Sequence, residues 1–172
     1  FNEEECKKRL TIIEKAKESA PELKVDLASE KSAREDVVKD IAGKNLKRSE
    51  LYDENEALQS QISEVKDGED FTCNKCKSKV SKEHVQSEIE DNNLKLKALS
   101  KEIEDGESNK TKLEKSIEEI ESKLAKVDKY LVAETKILGD IDANKYHKES
   151  MERIDSSNKE SSTIRFIISR IS

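Results

Sequence analysis

Most of the residues able to do chemistry in this sequence lie in one short stretch, DFTCNKCKSKVSKEH, from Asp70 to His84. Its centre is Cys73-Asn74-Lys75-Cys76. Two thiolates at this spacing can bind one Zn²⁺ from the same side, with sulfur at about 2.3 Å, but a closed structural zinc site takes four tetrahedral ligands. One such motif supplies two. The same spacing also serves thiol–disulfide redox pairs, which sit within a βαβ pattern, and no such pattern flanks Cys73 and Cys76. Redox chemistry, incidental thiols and an internal metal site completed from Cys6, His84 or His147 remain beside a shared metal as readings. The elements that hold the motif must decide.

Composition limits those elements. Of 172 residues, 33% are hydrophobic, 3% aromatic and 42% charged, with no tryptophan and four glycines. A globular domain carries about 45–50% apolar and about 25% charged residues, so a broad core is excluded, and the choice lies between long helices and disorder. The net charge of −6 comes from 33 basic and 39 acidic residues spread along the chain, which describes a solvated helical surface rather than a nucleic-acid groove. No apolar run approaches the roughly 18 residues of a membrane span, and no secretory leader is visible. The first residue is Phe1 rather than Met, as expected of a segment excised from a longer protein. An odd number of cysteines with one close pair fits an intracellular thiol or metal role better than a disulfide framework.

Periodicity decides against disorder. Steps of three and four from Cys6 run through Ile13, Ala16, Ala20, Leu23, Leu27, Val37, Ile41, Leu51, Leu58, Ile62 and Val65, and 12 of the 18 seam positions are apolar. Arg9, Glu30, Arg34, Lys44, Arg48 and Asn55 are the exceptions. A second register runs from Val85 through Ile89, Leu96, Leu99, Ile103, Leu113, Ile117, Ile120, Leu124, Val127, Leu131, Leu138 and Ile141, with 13 of 17 positions apolar. Asn92, Gly106, Lys110 and Glu134 interrupt it, and the phase slips after Ile141 before Met151 and Ile154 resume. Such heptads predict coiled-coil helices. Pro21 predicts a kink or a helix restart, Gly68 suits a helix C-cap, and Ser81 can start the next helix. Gly43 and Gly106 mark a flexible or closely packed point.

The reading is therefore all-α: an antiparallel coiled-coil helical hairpin with the CxxC loop at its apex. Residues 1–66 form the ascending arm, 67–81 the loop, 82–148 the descending arm and 149–172 an irregular or overhanging helical extension. Facing residues have numbers summing to about 147, which sets Ile62 against Val85, Leu58 against Ile89 and Asn55 against Asn92. In that hairpin Cys6 and His147 are far from the loop. His84 is placed about two helical turns away and leaves an internal site one ligand short. A second copy must then bring its own Cys73 and Cys76, giving one Zn²⁺ per two chains and a homodimer. Lys75, Lys77, Lys79 and Lys82 either favour the thiolates or are a solvated face.

Cys73 and Cys76 at such an apex, followed by Val80, Ser81, Glu83 and His84, resemble the zinc hook of SbcC and Rad-fifty type DNA-repair ATPases. That family usually has Pro after the first cysteine and often Gly after the second, where this chain has Asn74 and Lys77. The resemblance covers about 15 residues. It implies hook-to-hook tethering of long SMC-like ATPases in double-strand-break repair, with a partner nuclease and DNA engaged by head domains. This segment has no GxxxxGK[ST] phosphate loop and is expected to be non-catalytic. A plain coiled-coil scaffold and a CxxC redox module are the alternatives.

Overall fold

A computed structural model describes residues 1–171. Helix α1 spans Glu3–Ser63, strands β1 and β2 span Phe71–Thr72 and Lys79–Val80, and helix α2 spans Lys82–Ile171. The ends follow from local sequence. The Asn2 side chain accepts the Glu5 N–H at 3.0 Å, and Glu3, Glu4 and Glu5 place negative charge on the first turn, where exposed amides favour it. Ser81 immediately precedes α2, and its carbonyl accepts the His84 N–H at 3.1 Å. Among the described residues, no helix is long and apolar enough to cross a membrane.

The chain divides into two compact units, one of Asp26–Glu119 and one of Phe1–Val25 with Ile120–Ser172. In the first, α1 and α2 run antiparallel. Arg34 Nη2 meets Glu114 Oε1 at 2.7 Å, Lys44 Nζ meets Glu102 Oε2 at 3.4 Å, and Asn92 Nδ2 donates to Asn55 Oδ1 at 2.9 Å. The residue numbers in these pairs sum to 148, 146 and 147, which is the register set by the apolar spacing. Ile41, Leu58, Ile62, Val85, Leu96, Ile103 and Ile117 are buried along this seam, each contributing about 1.5–3 kcal/mol for a fully buried side chain. A Cβ on Gly106 would stand 3.0 Å from Ile41 Cγ1, whereas one on Gly43 would meet nothing within 4 Å. Of these two glycines, Gly106 is the close-packed one.

In the second unit the seam departs from the spacing read in the sequence. Leu131 and Leu138 are 38% and 47% exposed, and Ile137 is buried instead, at 7%. From Val127 to Ile137 is ten residues, a heptad lengthened by three, which shifts the buried stripe around the helix. The slip thus begins after Val127 rather than after Ile141. Glu134 lies beside the displaced stripe, and Lys17 Nζ meets its Oε1 at 3.1 Å. Met151 and Ile154 are exposed and do not resume the seam. The extension is regular helix, exposed throughout 151–170, and the side chain of Ile171 lies outside the described residues.

Pro21 does not restart the helix, because α1 continues through it. Its missing N–H leaves one carbonyl of the preceding turn without a helical partner, while the hydroxyl of Ser19 donates to the Ala16 carbonyl at 2.7 Å.

Candidate metal centre

The connector between the helices folds back on itself through the β1–β2 pair, with Phe71 opposite Val80 and Thr72 opposite Lys79. Gly68 is not the cap of α1, which ends five residues earlier. It is the third residue of a turn closed by Glu69 N–H to the Lys66 carbonyl at 3.2 Å, and its φ of 84° is one that glycine adopts without steric cost. Phe71, Val80 and Ile89 pack against Leu58, Ile62, Cys73 and Val85. The connector is thereby anchored on apolar side chains from both helices.

On this base the two strands bracket a tight loop. Cys73 N–H donates to the Ser78 carbonyl and Lys77 N–H to the Cys73 carbonyl, both at 2.9 Å. Closing it puts Lys77 at φ 59°, a left-handed conformation that costs a residue bearing Cβ about 1–2 kcal/mol. Gln61 of α1 braces the loop from below. Its Nε2 donates to the Thr72 carbonyl at 2.6 Å, and its Oε1 accepts the Asn74 N–H at 3.1 Å.

Cys73, Cys76 and His84 offer ligand atoms that all lie within 4.8 Å of one another. His84, expected to lie two turns away, belongs to the cluster. The β1–β2 pair returns the chain to the base of α2, so that His84 in the first turn faces the thiols, with Nε2 3.6 Å from Cys76 Sγ. A tetrahedral Zn²⁺ with sulfur at about 2.3 Å and nitrogen at about 2.0–2.1 Å holds those two atoms about 3.6 Å apart. Donor chemistry agrees as well, since thiolate and imidazole suit zinc. The three residues fit such an ion and leave one tetrahedral position unfilled. Cys6 belongs to the other compact unit and is half-buried on α1, where Cys73 and Cys76 are respectively buried and exposed.

The Cys76 thiol is lowered to about 7, first by the Ser78 backbone N–H, with hydrogen bonds from His84 and Cys73 adding to it. The lysines do less than their number suggests. Lys75, between the two cysteines, is engaged by carboxylates: its Nζ lies 2.7 Å from Glu88 Oε2 and 3.7 Å from Glu54 Oε1, and donates to Asn92 Oδ1 at 3.4 Å. Hydrogen bonding to Glu88 raises the Lys75 ammonium above its ordinary range, and Lys75 in turn holds the Glu88 carboxyl below its own. Lys82 pairs with Asp67 at 3.2 Å. Lys75 therefore ties the loop to both helices through the network around Asn92, which is 0% exposed. Asn92 Nδ2 donates to Glu54 Oε2 at 2.8 Å as well as to Asn55, and Asn55 Nδ2 donates to Asn93 Oδ1 at 2.9 Å.

Sequence reading found Cys73 and Cys76 and set aside His84. It missed Gln61 altogether, because a polar residue beside a seam position looks like ordinary solvated surface. Comparison with family models, with curated proteins and with solved structures finds no match to this chain.

Proposed function

We propose that this segment is a metal-dependent joining module: an antiparallel coiled-coil hairpin with Cys73 and Cys76 at its apex, which couples to a second copy through one shared Zn²⁺. The observation that carries this reading is a connector that brings two thiols together, half of a four-thiolate set, with Cys76 exposed. A structural zinc site is closed by four protein ligands, and thiolates from a second connector would supply what one chain lacks. Zinc would fix the two tips by pairing all four thiolates. This chain's own contribution is to hold its cysteines ready, through the Ser78 amide, the Gln61 brace and the Lys75 tie.

The resemblance to zinc hooks supports a wider proposal. The parent protein is an SMC-like ATPase acting in double-strand-break repair, and tip-to-tip joining tethers the DNA or the partner nuclease engaged by its heads. In that role the segment itself performs no catalysis and works inside the cell.

Solution mass and metal content test the joining directly. With zinc limiting, the mass doubles and about 0.5 zinc is bound per chain, since four ligands at two per chain need two chains. A chelator, or Cys73→Ser with Cys76→Ser, returns it to one chain. A mass indifferent to zinc, chelator and both substitutions refutes the proposal.

A further inference from the structure

We infer that His84 gives each single chain a competing metal site of its own, so that joining occurs by ligand exchange and is reversed by excess metal. This inference rests on the shared-zinc reading above. Its ground is the placement of His84 Nε2 at 3.6 Å from Cys76 Sγ, with Cys73 Sγ also within 4.8 Å. Three protein ligands on one chain hold a zinc ion with water in the fourth position, the arrangement of an open rather than a closed zinc site. His84 is positioned for this by β1–β2 and by the start of α2, so a metal ion reaching one tip finds three donors without any partner.

Exchange with a second, metal-free tip balances simply. Two Zn–S bonds form to the incoming Cys73 and Cys76, and the Zn–N bond to His84 and the Zn–O bond to water break. The two incoming thiols release their protons to solvent. Soft thiolates favour zinc over imidazole and water, so the four-sulfur site wins while metal-free tips are available. Once metal exceeds the number of tips, none is left metal-free. Every chain then keeps its own ion on Cys73, Cys76 and His84, and the dimer disperses by mass action.

The test is a cobalt(II) titration of the whole 172-residue chain, with light scattering for mass and sulfur-to-cobalt charge-transfer absorbance for the number of thiolates per ion. In the unaltered chain the mass doubles by half an equivalent and falls back towards one chain beyond one equivalent. Absorbance per cobalt falls to about half over the same range, as four thiolates become two. For His84→Gln and for His84→Ala, the metal concentration that disperses dimers rises at least about tenfold, the lower end of what even an outer-sphere partner contributes to metal affinity. An unaltered chain that stays dimeric with four-thiolate absorbance at several-fold excess overturns the inference, as do variants that disperse at the unaltered concentration. A chain that is monomeric with two-thiolate absorbance at half an equivalent overturns the shared-zinc reading itself.

Discussion

Replacing Asn92 by alanine tests whether the polar layer beneath the connector stabilises the hairpin or merely occupies it. Asn92 is fully buried and its amide donates to the Glu54 carboxylate at 2.8 Å and to Asn55 at 2.9 Å. A hydrogen bond to a charged group contributes about 1.5–3 kcal/mol and one to a neutral amide about 1 kcal/mol. Glu54 keeps 32% of its side chain exposed and regains water when its partner is lost, so the lower end applies. The expected loss is about 2–3 kcal/mol. With a urea slope of about 2 kcal/mol per molar, the midpoint falls by about 1 M. The assay is urea unfolding followed by helical circular dichroism in a chelator, so that metal binding does not enter. Asn93→Ala is the control. Asn93 is exposed and accepts one bond from Asn55, so its loss stays within about 0.5 kcal/mol. Replacing Asn55 and Asn92 together by leucine removes that amide pair as a unit but still forfeits the bond to Glu54, so its loss is smaller than that of Asn92→Ala. Equal losses for Asn92→Ala and Asn93→Ala would refute the reasoning.

Three further outcomes follow from the same geometry. In the metal-free chain, Cys76 alkylation by iodoacetamide rises as pH passes through about 7 rather than near the ordinary value of about 8.5, because a lowered thiol pKa forms thiolate earlier. Buried Cys73 reacts more slowly, and a peptide-resolved pH profile separates the two. Lys77→Gly relieves the left-handed strain at φ 59° but adds unfolded-chain freedom, for a net gain of about 0.5–1 kcal/mol in urea unfolding. Lys77→Val, β-branched at the same φ, loses stability in that assay. Gly43→Ala stabilises by about 0.8–1 kcal/mol as a helix-interior replacement into open space, and Gly106→Ala gains less because its Cβ meets Ile41 Cγ1 at 3.0 Å. Equal gains at the two glycines would contradict that contact.

Much of this molecule was legible in order of residue type. The three-and-four spacing of Leu58, Ile62, Val85 and Leu96 determined two long helices and, with Asn55 and Asn92, their antiparallel register, because burial selects one face of each helix. The CxxC spacing fixed where soft metal chemistry could occur, since two thiols three positions apart reach a common point. Tertiary structure decided what periodicity cannot carry. Val127 and Ile137 are buried while Leu131 and Leu138 are exposed, because a three-residue slip leaves apolar residues on both candidate stripes and only the partner helix selects between them. Lys75 neutralises Glu88 rather than serving the thiolates, and His84 joins Cys76 across eight residues of chain. Both contacts depend on a two-residue strand pair that turns the connector back over α2, and the position of a side chain after such a turn is set by the fold, not by its distance along the sequence.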